Sequence, residues 1–141
     1  MTAASDPPRR DEPSAVGRPE ARIRRGDVVW ISPAASLGGA PSIPHPHVVI
    51  QDDVFNLSRI STVIVCGITS NLKRAHEPGN VLLDDGEGSL PKRSVVVVSH
   101  ISSVEKIELG AHIGSLTQTR VDQIVDGLRF QQASYFRDES E

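Results

Sequence analysis

A mainly β domain closed by a single C-terminal helix is the fold class this sequence predicts, and three observations carry it. Short β-branched runs recur at close spacing from Asp27 to Gly114. Turn clusters rich in Gly, Pro and Asp separate them, and helical periodicity first appears after Thr117. Strands so spaced build a small barrel or a strongly curved sheet.

The elements follow in order. Asp27 to Ile31 reads as a strand stopped by Ser32-Pro33, and the Gly/Pro-rich loop 33–44 is unfit for helix or interior strand. Val48-Val49-Ile50, within HPHVVIQ, and Ile60 to Ile68 are two further strands joined by a polar connector, Asp52 to Ser58. A hairpin folded about Leu57 sets Val49 opposite Val65 and His45 opposite Thr69. Val81-Leu82-Leu83 is a shorter strand ended by the turn run DDGEGSLP. Ser94 to Val98 is a continuous β-branched run, as expected where both faces are covered. Ile101 to Val104 and His112 to Gly114 are short strand candidates. After Thr117, a plausible N-cap, Val121, Ile124, Val125 and Leu128 fall at helical spacing, with Ala133 and Phe136 further on.

At 141 residues the chain holds one domain of ordinary size. Residues 1–22 carry four prolines and a single apolar β-branched residue, Val16, and read as a disordered extension. The folded domain is expected over 23–137, beginning near Ile23, with an acidic tail at 138–141. One cysteine, Cys66, excludes an intramolecular disulfide and multi-cysteine metal sites, and its apolar strand makes it a packing residue. No apolar run is long enough to span a membrane, and the N-terminus lacks a secretory h-region, so the cytoplasm is the default compartment. Residues 23–137 hold eleven basic and eleven acidic side chains, which argues against coating nucleic acid by bulk charge. A short single-stranded site with local cations remains open.

The predicted hairpin brings His45 and Thr69 to one rim. There His45 is a candidate general acid, general base or phosphate ligand, and Thr69 and Ser70 are candidate donors to phosphate oxygen. Lys73 and Arg74 add a local cationic pair suited to a phosphodiester. The plainer reading, an exposed rim and an ordinary turn at Thr69-Ser70-Asn71, carries more weight from spacing alone. His45-x-His47 points two imidazoles to one face, but no Cys or carboxylate at ligand spacing completes a metal site, and none is expected. His100, at a strand end, faces either rim or solvent, while His76 and His112 read as surface residues. Trp30 reads as a core or interface residue, with base stacking the alternative.

Five segments in order, RRGDVVW (24–30), HVVIQDDVFN (47–56), ITSNLKRA (68–75), GNVLL (79–83) and LPKRSVVVVSHISSVEK (90–106), resemble the MazF/PemK family, toxins of type II toxin–antitoxin modules. The resemblance spans about residues 24–130 and implies an SH3-like β-barrel with a C-terminal helix, of a type shared with CcdB proteins. It also implies a homodimer and a cognate antitoxin whose disordered tail occupies the RNA groove, with DNA reached only through that antitoxin. The implied activity is cleavage of single-stranded RNA, without metal or other cofactor, by attack of a ribose 2′-hydroxyl on the adjacent phosphate. The family places an arginine before the second strand and a threonine after the third. Thr69 matches the threonine, whereas His45 stands where the arginine would be. Arginine offers a permanent charge and a bidentate fork, and histidine offers proton transfer instead. The resemblance thus implies His45 and Thr69 as catalytic residues, and Ser70, Asn71, Lys73, Arg74, Ser99 and His100 as RNA contacts. The exchange at His45 leaves two outcomes, a retuned nuclease or a dimer that binds antitoxin or RNA without cutting. A gyrase-directed poison of the CcdB kind ranks third, because the chain ends differently.

Overall fold

The structure is a computed structural model that describes residues 23–32 and 43–133. The expectations for 1–22, for most of the 33–44 loop, for Phe136 and for the acidic tail lie outside the described residues.

Six strands form one antiparallel sheet in the order β4-β5-β3-β2-β1-β6. They are β1 (Asp27–Ile31), β2 (His45–Val49), β3 (Thr62–Thr69), β4 (Val81–Leu82), β5 (Val95–Glu105) and β6 (Leu109–Ser115). The hairpin register is the one the sequence predicts. His47 pairs with Gly67, Val48 with Cys66 and Val49 with Val65. The Val-rich run and the Ile101–Val104 segment are one strand rather than two. They belong to a single β5 whose ladder with β3 shifts between Cys66 and Gly67, which pair with Ile101 and Val97 respectively. A bulge over Val98 to His100 therefore hides in sequence as a polar gap between two apolar runs.

Strand alternation divides the apolar residues between two cores. Val28, Val48, Cys66, Ile68, Val96 and Val98 face the first, which also takes Leu83, Leu90, Leu116 and Ile124. Val29, Ile31, Val49, Val63 and Val65 face the second, joined by Ile23 at the start of the described chain. Covering both faces accounts for consecutive buried valines from Val95 to Val98. The ladder ends at β4 and β6. The 3-10 turn Glu87–Ser89 lies along β6 there, with the Gly88 carbonyl so close to Gly114 that a side chain at 114 has no room. The curled sheet closes by packing at this seam.

Helix α2 (Gln118–Gln131) covers the first core. Thr117 caps it as the sequence suggests, its side chain accepting from Arg120 N at 3.2 Å, and Val121, Ile124 and Gly127 are buried. Gly127 lets the helix approach Gly79 and Val98, with no space for a Cβ. A second helix corrects the sequence reading of a plain polar connector: α1 (Asp53–Asn56) is one turn, N-capped by Asp52, which accepts from Val54 N at 2.8 Å. Its function is visible in what it buries. Asn56, 1% exposed, donates to Gln51 O at 2.8 Å and to Asp53 Oδ1 at 3.0 Å, and accepts from Gln51 Nε2 at 3.0 Å. Lys106, also buried, donates from Nζ to the carbonyls of Asn56 (3.0 Å) and Ser58 (3.2 Å), the free acceptors at the C-terminal end of that turn.

Asn56→Ala leaves these buried partners unsatisfied and is expected to cost about 2–4 kcal/mol in urea unfolding, with Lys106→Met costing about 1–3 kcal/mol. Equal stability of both variants and wild type would contradict the network. Cys66 is fully buried, and burial pushes its thiol up to about 12, so thiol reagents should modify it only after unfolding.

Candidate functional site

His45 and His47 are two apart on β2 and so share the sheet face of Val49, the face of the second core. Across the ladder the same face carries Val65 and Gly67, and the register continued two residues past its last pair points His45 toward Thr69, which lines the same groove. Where the apolar packing ends, this face opens into a groove of ≈ 530 Å³. His45, His47, Gly67, Thr69, Arg74 and His100 line it, with Ile31 and Val104 toward the core and Ser102, Ser103 and Glu108 along the β5 side.

The bulge delivers His100. A Cβ on Gly67 would lie 3.1 Å from the Cβ of His100 and 3.5 Å from its Nδ1, so the imidazole lies over the glycine. His47 is the ladder partner of that glycine from the other side. Two histidines separated by more than fifty residues thus flank one backbone position.

The far wall is a polar brace. Arg74 donates to Glu77 through Nε (3.1 and 2.9 Å) and Nη2 (2.9 Å), and these bonds hold the Glu77 carboxyl below its ordinary range. Asn80 ties this pair to β5. Its Nδ2 donates to Arg74 O at 2.9 Å and to Glu77 Oε1 at 3.1 Å, and its Oδ1 accepts from Val98 N at 3.0 Å, at the first residue of the bulge. Thr69 Oγ1 accepts from Asn71 N at 3.1 Å, and Asn71 caps the following 3-10 helix by accepting from Lys73 N at 3.2 Å.

Of the residues singled out in sequence, His45, Thr69, Arg74 and His100 line the groove together. Ser70, Asn71, Lys73 and Ser99 are exposed and do not line it, and Asn71 holds the turn that follows Thr69. Trp30 is half-buried and also outside the lining. His112 lies 3.5 Å from Asp27, away from the groove. Among the groove residues not singled out as site members, which also include Gly67, Ser102, Ser103 and Glu108, His47 is the one that period-2 alternation already places beside His45. Its Nδ1 stands 3.0 Å from the His45 carbonyl oxygen, which can only accept, so the neutral ring carries its proton on Nδ1 and keeps a lone pair on Nε2. Burial pushes the His47 pKa below its ordinary value; the hydrogen bond to the His45 carbonyl opposes this, and charge on His45 and His100 adds to the lowering. Among the described residues, no three His, Cys, Asp or Glu side chains are arranged to hold a metal ion.

A family model described as "PemK-like, MazF-like toxin of type II toxin-antitoxin system" matches residues 24–131. The chain belongs to this family. Among curated MazF-like proteins, Endoribonuclease MazF6 of Mycobacterium tuberculosis is 36% identical over 107 residues, covering 76% of this chain and 94% of the relative. Endoribonuclease EndoA of Bacillus subtilis is 29% identical over 108 residues, covering 76% and 91%. Among solved structures, MazF from Deinococcus radiodurans superposes with a TM-score of 0.62 at 18% identity, over 79% of this chain and 96% of that one. A mycobacterial endoribonuclease in complex with its cognate antitoxin gives 0.60 at 21% identity, over 77% and 92%. The shared architecture is the curved MazF sheet with its C-terminal helix.

In a nitrogen-detected NMR titration His47 should stay neutral, protonated on Nδ1, to a lower pH than an ordinary imidazole. The sign for stability follows. A histidine whose folded pKa is depressed opposes its own protonation, so stability falls as pH drops below about 6.5 toward the folded value. His47→Gln should flatten that fall, and an unchanged slope would place the acid sensitivity elsewhere.

Proposed function

We propose that this chain is the toxin component of a type II toxin–antitoxin module and acts as a metal-independent endoribonuclease on single-stranded RNA. The observation that carries the reading is the gathering of His45, Thr69 and Arg74 in one groove of a chain that covers 94% of an endoribonuclease at 36% identity. RNA lies along the groove with its scissile phosphate between His45 and Thr69. The Thr69 hydroxyl accepts from Asn71 N, which leaves its own proton free to donate to a phosphate oxygen. His45 replaces the arginine of the family pattern and meets the same phosphate by hydrogen bonding or, when protonated, by charge. The 2′-hydroxyl attacks the adjacent phosphorus, the bond to the 5′-oxygen breaks, and a cyclic phosphate and a 5′-hydroxyl are left.

The same reading includes a homodimer, a cognate antitoxin that covers the groove and links the toxin to DNA, and a cytoplasmic location where RNA is met. A solved relative is described as bound to its cognate antitoxin, which supports the partner. No helix among the described residues is long and apolar enough to cross a membrane. Exposed Lys73, beside the groove wall, would meet an acidic antitoxin segment, and added salt should weaken that binding.

The test is incubation of purified, antitoxin-free protein with a long single-stranded RNA in EDTA, with cut ends mapped by primer extension. Discrete cuts are expected, reduced at least ~100-fold in Thr69→Ala and His45→Ala, on the scale of a lost transition-state donor. Intact RNA from folded wild type would overturn the nuclease in favour of a binding dimer. Light scattering should give twice the chain mass.

A further inference from the structure

We propose that His47 and His100 are the general base and general acid of RNA cleavage in this chain, a reading that rests on the ribonuclease function above. Four observations place them. Both line the groove that holds Thr69. They flank one glycine, His47 as the ladder partner of Gly67 and His100 lying over it, so no side chain separates them. The His45 carbonyl fixes the His47 proton on Nδ1, which makes Nε2 the acceptor. The bulge in β5, anchored where Val98 N meets Asn80, delivers His100 to the wall that holds Glu77.

Nε2 of His47 takes the proton of the 2′-hydroxyl as the oxygen bonds to phosphorus. Protonated His100 gives its proton to the 5′-oxygen as the phosphorus–oxygen bond breaks. Exchange with water then returns a proton to His100 and removes one from His47, so no metal or redox partner enters the balance. His45 and Thr69 hold the phosphate, and the two proton carriers stand beside them. An arginine at position 45 could not move protons, whereas this arrangement needs none to do so.

Cleavage by the base requires neutral His47, so the rate rises with pH through the depressed His47 value. Cleavage by the acid requires charged His100, so the rate falls as that ring loses its proton. The titratable and charged groups that share the groove with His47 are His45 on its own strand, His100 from β5, Arg74 from the turn after β3, itself paired with Glu77, and Glu108. They set where each limb falls.

The experiment uses the full chain and the RNA site mapped in the EDTA assay, synthesised with either oxygen or sulfur at the scissile 5′-bridging position. A thiolate departs without protonation, so it bypasses a general acid. His100→Gln should cut the oxygen substrate at least ~100-fold more slowly, lose the alkaline limb, and recover to within about 10-fold of wild type on the sulfur substrate. His47→Gln should be equally slow on oxygen, lose the acid limb, and show no recovery with sulfur. Gly67→Ala, whose Cβ must displace His100, should slow the oxygen reaction and add nothing to His100→Gln. A His100→Gln enzyme that stays slow on sulfur, or either limb persisting in its variant, overturns the assignment. Wild type that cleaves neither substrate overturns the ribonuclease reading instead.

Discussion

The hydrogen bond from Val98 N to Asn80 Oδ1 is the constraint on which the groove depends. It satisfies a main-chain donor next to the bulge, where the paired ladder between β4 and β5 has already ended. The same amide side chain grips Arg74 O and Glu77 Oε1, so one residue fixes both the bulge and the turn opposite. Without it the chain at His100 and the wall at Arg74 would be free to move apart. The bulge is affordable because the strand before it is packed: Val95 to Val98 are all buried, Val96 and Val98 in the first core, and their burial holds the register there.

The two-core sheet also explains why the groove lies at a strand end. With valines filling one face under α2 and the other under the curled sheet, an open surface remains only where alternation stops delivering apolar residues. On the second face that point comes at His45-Pro46-His47 and Gly67-Ile68-Thr69, where imidazole, glycine and hydroxyl replace the valines. The far end of the same sheet is closed by another device, the α1 turn with Asn56 and Lys106 beneath it. A buried ammonium held by carbonyls at a helix end is stabilised by the dipoles of that end as well as by its hydrogen bonds.

Local signals were legible in the sequence, and long-range ones were not. The limits of β1, the β2–β3 register and the Thr117 cap follow from periodicity and capping chemistry, which act within a few residues. The bulge is set by how Val97 and Ile101 both find partners on β3, so it leaves only a polar gap at Ser99-His100. The α1 turn had its signal in Asp52, an N-cap residue, but a single turn shows no apolar period, and its partner Lys106 is fifty residues away. Arg74 reads as a free cation until Glu77 folds back on it three residues later. Ser70, Lys73 and Ser99 are each next in sequence to a residue that lines the groove without lining it themselves, a placement set by strand and turn geometry that composition does not encode.

The bond between His47 Nδ1 and the His45 carbonyl has one more consequence. The acceptor is main chain, so whatever side chain occupies position 45 supplies the same oxygen. Evolution can therefore exchange that side chain, imidazole for guanidinium or the reverse, without passing through an intermediate in which the His47 tautomer is lost. The position whose side chain can change and the position that holds the proton are neighbours on one strand, yet a substitution at the first leaves the hydrogen bond of the second in place.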